Sequence, residues 1–262
     1  MLLKSFASAF LMYSRIPMPQ VEWKEENRRY ALCFFLLIGA VIGGLLVLAM
    51  YLARLLEVGA ELTAAVCVFV PIIVTGGIHI DGFCDVSDAL GCCGSREKML
   101  EVMKDSRIGA FAVINFAAYM LLQFGAFCQV FSSEQVLRIC GAAAVGSVLS
   151  RAYSGLAAVT FRSAVKQGSS LQSFAKSAHR NITVAVEIIY IVLCSVGMVM
   201  IYPMAGGFAA VAALGAFVFY RRFSYKKFGG ITGDLAGWFL QICELAVLIC
   251  AVVGDRIYTI IK

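Results

Sequence analysis

Seven long apolar runs constrain this chain more than any other feature of its sequence: Ala31–Ala53, Leu62–Gly77, Gly109–Val130, Leu137–Thr160, Ile182–Tyr202, Ala205–Tyr220 and Leu235–Val253. A helix needs roughly 20 apolar residues to cross about 30 Å of hydrocarbon. Lipid offers the backbone no hydrogen-bond partner, so such runs cross as helices. The second and sixth are short for a crossing. Of the 262 residues, 61% are hydrophobic and 15% charged, against about 45–50% apolar in soluble domains, and this rules out a water-soluble globule. The expected fold is all-α: a polytopic integral membrane helical bundle of about seven transmembrane helices in the lipid bilayer, with amphipathic helices at its interface.

Lysine and arginine then set the topology, because short cytoplasmic loops retain positive charge. Lys4, Arg15, Lys24, Arg28, Arg29, Arg96, Lys98, Lys104, Arg107, Arg162, Lys166, Lys176, Arg180, Arg221, Arg222, Lys226 and Lys227 fall on one side. The other side receives Arg54, Arg138, Arg256 and Lys262, and Arg151 lies inside a span. An N-terminus and functional face in the cytoplasm follow from that asymmetry. Anionic lipid accounts for the net charge of +6 without a nucleic-acid partner. The ten cysteines show no metal-ligand spacing and fit small core residues in a reducing compartment.

No shift of composition, low-complexity tract or fixed-period repeat divides the chain, so residues 1–262 form a single transmembrane domain. Residues 1–15 pattern as an interfacial helix, with Leu3, Phe6, Phe10 and Tyr13 at helical spacing and Lys4, Ser5 and Ser8 on another face. No removable leader is expected there. The long connections are Ile78–Ile108 and Phe161–Asn181, both on the basic side, and the first is an acidic motif loop over about 78–108. Inside it, Ser95 is placed to cap a short amphipathic helix.

The chemistry concentrates in Gly76-Gly-Ile-His-Ile-Asp81-Gly-Phe-Cys-Asp85-Val-Ser-Asp88, whose three aspartates stand at i, i+4 and i+7 and share one face of a helix. Close carboxylates repel unless cations sit between them, and an oxygen-only donor set suits Mg²⁺ or Mn²⁺. Magnesium usually completes its shell with water and phosphate oxygens, so this metal site implies a phosphorylated substrate. The bland alternative is a set of solvated surface aspartates. In Met103-Lys-Asp105-Ser-Arg107-Ile-Gly109, Asp105 is a further metal ligand or a general base. Lys104 and Arg107 either hold a phosphate or simply anchor the membrane boundary.

Gly229-Gly-Ile-Thr232-Gly-Asp234 leads into the last span, along which Gln241 and Glu244 continue a polar stripe. An intramembrane carboxylate costs at least about 2.5–3.5 kcal/mol and seeks a partner. Arg151 reaches similar depth on the fourth span. An Arg151–Glu244 pair serves either as glue between helices or as the floor of a substrate cavity that Gln241 and Thr232 would also line. His79 is a candidate catalytic group because it adjoins Asp81. A seam of Gly39, Gly43 and Gly44 permits helix pairing, within one chain or in a homo-oligomer.

Those three motifs, with the opening Tyr13-Ser-Arg-Ile-Pro17, resemble the adenosylcobinamide-GDP ribazoletransferase, or cobalamin synthase, family across nearly the whole chain. Membership implies an integral transferase of the bacterial inner membrane that joins adenosylcobinamide-GDP to α-ribazole or α-ribazole 5′-phosphate and releases GMP, with Mg²⁺. On that resemblance the metal falls to Asp81, Asp85 and Asp88, and the base or an additional ligand is Asp105 or Asp234. The family often has glycine after the last loop aspartate, where this chain has Ala89. Two alternatives compete: a CDP-alcohol phosphotransferase, whose motif has an alanine-arginine step absent here, and a membrane transporter, whose repeated halves are also absent.

Overall fold

The structure is a computed structural model that describes residues 2–165 and 170–262. Lys166, counted above among the basic-side residues, lies outside the described residues. In chain order the helices are α1 (Leu2–Tyr13), α2 (Glu25–Arg28), α3 (Ala31–Leu55), α4 (Ala60–Thr75), α5 (Ile78–Gly91), α6 (Arg96–Val102), α7 (Ala110–Phe131), α8 (Val136–Thr160), α9 (Ser170–Ser177), α10 (Arg180–Ile201), α11 (Pro203–Lys227) and α12 (Gly233–Ile261). Among the described residues the extended pairing is a single bridge, Ser163 to Ile231.

Six helices, α3, α7, α8, α10, α11 and α12, are long and apolar enough to cross a membrane, and the bent pair α4 and α5 raises the number to seven. The protein is a multi-pass helical membrane bundle. Its basic end gathers the connections where Arg15 N–H donates to the Val74 carbonyl, His179 N–H to Arg29, and Ile231 N–H to Arg162. At the opposite end, the buried Asp255 carboxylate accepts from the Tyr202 and Ser133 hydroxyls. Several helices outrun the apolar runs. α11 continues through Arg221 and Arg222 to Lys227, because a helix can go on in water once its apolar stretch has ended.

The stretch 78–108 is not the loop expected. α4 stops at Gly76 and Gly77, both in the left-handed region with φ of 66° and 81°, which glycine adopts without penalty. The chain then turns by 97° into α5. Apolar and small residues hold one side of α5, with Gly82, Phe83, Val86 and Ala89 buried, while Asp81 is exposed on the other. That amphipathic pattern makes the segment a helix lying across the basic end. Ala89 is fully buried, and a methyl group fits there inside a regular helix. Ser95 caps α6 by accepting from the Lys98 N–H at 3.3 Å.

α1 also differs from its pattern. Ser5, Ser8 and Ala9 are completely buried, whereas Leu3 is 83% exposed; the small face packs into the bundle because small side chains let helices approach closely. The same physics joins α3 to α8. A Cβ on Gly43 would sit 2.6 Å from the Ala144 carbonyl, while Gly44 has nothing within 4 Å. The seam therefore packs within the chain through Gly39 and Gly43.

The bundle centre holds one ion pair. Arg151 Nη1 of α8 lies 2.6 Å from Glu244 Oε1 of α12 and 2.7 Å from the Ser147 carbonyl. Ser150 Oγ donates to the same Glu244 oxygen at 3.0 Å. Arg151 is 1% exposed and its guanidinium stands over the Phe35 ring. Glu244→Ala leaves that guanidinium buried without its counter-charge and should destabilise the protein by about 3–5 kcal/mol. Arg151→Met with Glu244→Leu removes both charges and should regain most of the loss. Thermal melting in lipid nanodiscs checks both, and equal melting of Glu244→Ala and parent would contradict the pair's role.

Candidate functional site: an acidic cleft at the basic end

α5 is held in place from two directions. Against α12, Gly82 lets the helices touch: a Cβ there would lie 2.7 Å from the Asp234 carbonyl oxygen. Against α7, Asp88 supplies the N-terminal cap, accepting from Gly109 N–H at 2.6 Å through Oδ2 and from Ala112 N–H at 2.8 Å through Oδ1. A carboxylate at a helix N-terminus satisfies orphan donors and complements the helix dipole. Gly109 has to be glycine for this, since a Cβ would stand 2.5 Å from Asp88 Oδ1.

With α5 fixed this way, Asp81, Asp85 and Asp88 line an open cleft of about 720 Å³, whose walls also include Arg15, Cys84, Arg107 and the Gly76-Gly77 turn. The carboxylates of Asp81 and Asp85 have no hydrogen-bond or ion-pair partner among the described residues. Burial, with the carboxylates of Asp81, Asp234 and Asp88 nearby, pushes Asp85 up from the usual carboxylate range to about 7. Asp234, in the first turn of α12, thus joins the acidic group electrostatically without lining the cleft.

Among the described residues, no three His, Cys, Asp or Glu side chains converge as a ready-made metal cage. Magnesium does not need one. It ordinarily takes one or two carboxylates and fills its shell with water and phosphate oxygens. Two unpartnered carboxylates one helical turn apart, with an oxygen-only donor set, fit that habit, and each Asp88 oxygen keeps a lone pair beyond its cap.

The remaining sequence candidates are distributed as follows. Asp105 is exposed and grips Arg107, whose Nε and Nη2 donate to it at 3.0 and 2.6 Å, so the guanidinium holds its carboxyl down to about 2. Arg107 lines the cleft; Lys104 is exposed beside it in sequence. Thr232 caps α12 by accepting from the Leu235 N–H at 3.1 Å. Gln241 is buried on α12, and with Arg151 and Glu244 it belongs to the bundle interior rather than to the cleft lining.

His79 is buried on the other side of α5, against the Tyr13 and Phe35 rings, with its Nε2 unpartnered among the described residues. Two residues along a helix turn the side chain through about 200°, so proximity to Asp81 in sequence does not become proximity in space. Arg15 is the cleft residue that motif chemistry left unassigned. The Tyr13-Ser-Arg-Ile-Pro17 signature was the signal available for it.

Fold and site together define a multi-pass membrane protein with a carboxylate face and cationic wall at its basic end. The chain belongs to the cobalamin-5-phosphate synthase family, whose family model matches residues 5–252. The adenosylcobinamide-GDP ribazoletransferase of Lachnoclostridium phytofermentans is 41% identical over 255 residues, covering 97% of this chain and 95% of the relative. Proteins of the same name from Clostridium perfringens and Treponema denticola are 29% and 30% identical, covering 92% and 94% of this chain and 94% and 96% of their own lengths. No solved structure matches the chain. Family membership favours neither a CDP-alcohol phosphotransferase nor a transporter.

The raised Asp85 gives a pH-dependent expectation for the metal-free protein. The native state holds that proton more tightly than the unfolded chain does, so stability falls as pH rises from about 4 to about 7 and the penalty is complete above that. In chelator, Asp85→Asn should melt higher than the parent at about pH 8 and no higher at about pH 4. Identical melting at both values would show that Asp85 carries no such penalty.

Proposed function

We propose that this protein is an adenosylcobinamide-GDP ribazoletransferase, joining adenosylcobinamide-GDP to α-ribazole or α-ribazole 5′-phosphate with release of GMP. The observation that carries the reading is the family match along the chain, at positions that place the aspartates of the acidic motif on one open cleft. The lysine and arginine asymmetry supports a basic end in the cytoplasm of a bacterial inner membrane, where nucleotide substrates are available.

In the proposed reaction an α-ribazole ribose hydroxyl attacks the corrinoid-side phosphorus of the diphosphate. A new phosphorus–oxygen bond forms, the bond to the GMP oxygen breaks, and GMP leaves. Mg²⁺ held on Asp81 and Asp85, with Asp88 beside them, would supply charge neutralisation for the diphosphate and the departing phosphate. Asp88 keeps α5 registered on α7, so the other two carboxylates are presented at a fixed spacing. Asp234 and Asp105 remain the candidates to accept the hydroxyl proton: Asp234 adjoins α5 behind the cleft lining, and Asp105 is tied to Arg107 and held in its anionic form as a weak base.

Purified protein in nanodiscs, given adenosylcobinamide-GDP and α-ribazole 5′-phosphate, should release GMP with Mg²⁺ and lose the activity in chelator. Asp81→Asn and Asp85→Asn should each lower turnover by about 100-fold or more. GMP release that persists in chelator would overturn the metal assignment, and no joined corrinoid product from folded, magnesium-supplied protein would overturn the function.

A further inference from the structure

We infer that Arg15 is an anchor for a substrate phosphate group, an inference that rests on the phosphoryl-transfer reading above. A cleft with three aspartates repels an anionic ligand, so cations on its wall are needed to recruit one. Arg15 and Arg107 are the two that line it. Arg107 is already committed, with Nε and Nη2 both on Asp105. The Arg15 guanidinium has no hydrogen bond or ion pair among the described residues.

Its backbone, by contrast, is firmly placed. Arg15 N–H donates to the Val74 carbonyl at 2.8 Å, at the foot of α4. The preceding Ser14 is buried and bonds the Phe10 carbonyl at 2.8 Å, and Pro17 restricts the chain beyond. The side chain then runs over Gly76, where a Cβ would collide with the Arg15 Nε and Cγ. The glycine turn that swings α5 across the bundle therefore also makes a bed for this arginine. A stem seated against the glycine turn carries an exposed, unpaired planar fork, which suits two oxygens of one phosphate.

The phosphate has two sources, the diphosphate of the activated corrinoid or the 5′-phosphate of the acceptor, and kinetics separates them. In nanodiscs, Arg15→Gln and Arg15→Lys are compared with the parent using α-ribazole and α-ribazole 5′-phosphate in turn. Loss of a charge-assisted contact should raise the relevant KM by about 10- to 100-fold with a smaller change in kcat, and lysine should restore part of the loss. A corrinoid KM raised with both acceptors assigns the diphosphate. An acceptor KM raised for the phosphorylated form alone assigns the 5′-phosphate.

Unchanged KM values, or an equal loss of kcat in both variants without a KM effect, overturn the anchor. Arg54→Gln, at the opposite end, controls for lost charge, and melting temperatures control for folding. If the parent itself shows no turnover, the proposed function fails. Equilibrium binding of GDP and of inorganic phosphate then decides the anchor separately: weaker binding of either in Arg15→Gln supports it, and no difference from the parent with both rejects it.

Discussion

Inside hydrocarbon a peptide N–H or C=O has no partner but another peptide, and this confines departures from helix to the ends of the bundle. The rest of the structure follows from it. The apolar runs cross as helices, and the turns, caps and charged groups that surround the acidic cleft are pressed into the basic end. There the chain uses glycine to break α4 cleanly, Thr232 to cap α12 and Asp88 to cap α7. Asp88, which caps α7, also belongs to the acidic face, so one helix ending and part of the site share a residue.

The charges deeper in the bundle obey the same constraint differently. Arg151 and Glu244 are paired and further bonded to Ser147 and Ser150, which satisfies them where water is scarce. Glu187 of α10, fully buried beside Gly155 with neither carboxylate oxygen bonded among the described residues, belongs to neither the paired centre nor the cleft. The paired charges join two crossing helices, whereas the partnerless carboxylates of Asp81 and Asp85 line the open cleft, where a cation can approach. Pairing thus separates the charges that hold the bundle together from those available to a ligand.

Much of this was legible in the sequence. Long apolar runs located the crossing helices, and the depth of Arg151 and Glu244 on their spans indicated that they could meet. The spacing of Asp81, Asp85 and Asp88 placed them on one face. The helical state of residues 78–91 was missed because charged residues and glycine resemble a loop when a membrane span is the only helix being sought, although the buried face of α5 was in the pattern. The cap on α7 could not be read, since it joins residues 21 and 24 positions apart. The roles of Asp105 and His79 needed side-chain direction, which depends on the turn after α6 and on the rotation along α5. Arg15 needed the contact between the α1 connection and the foot of α4.

The length of α4 also bears on the membrane itself. Its 16 residues rise about 24 Å at 1.5 Å per residue, less than the ~30 Å of an average hydrocarbon core. Such hydrophobic mismatch is relieved by thinning the bilayer locally or by drawing the helix ends inward. Either response draws the Gly76-Gly77 turn, and the aspartates that follow it, toward the boundary of the hydrocarbon. Lipid thickness thereby bears on the depth of the cleft, which the number of residues in one helix helps to set.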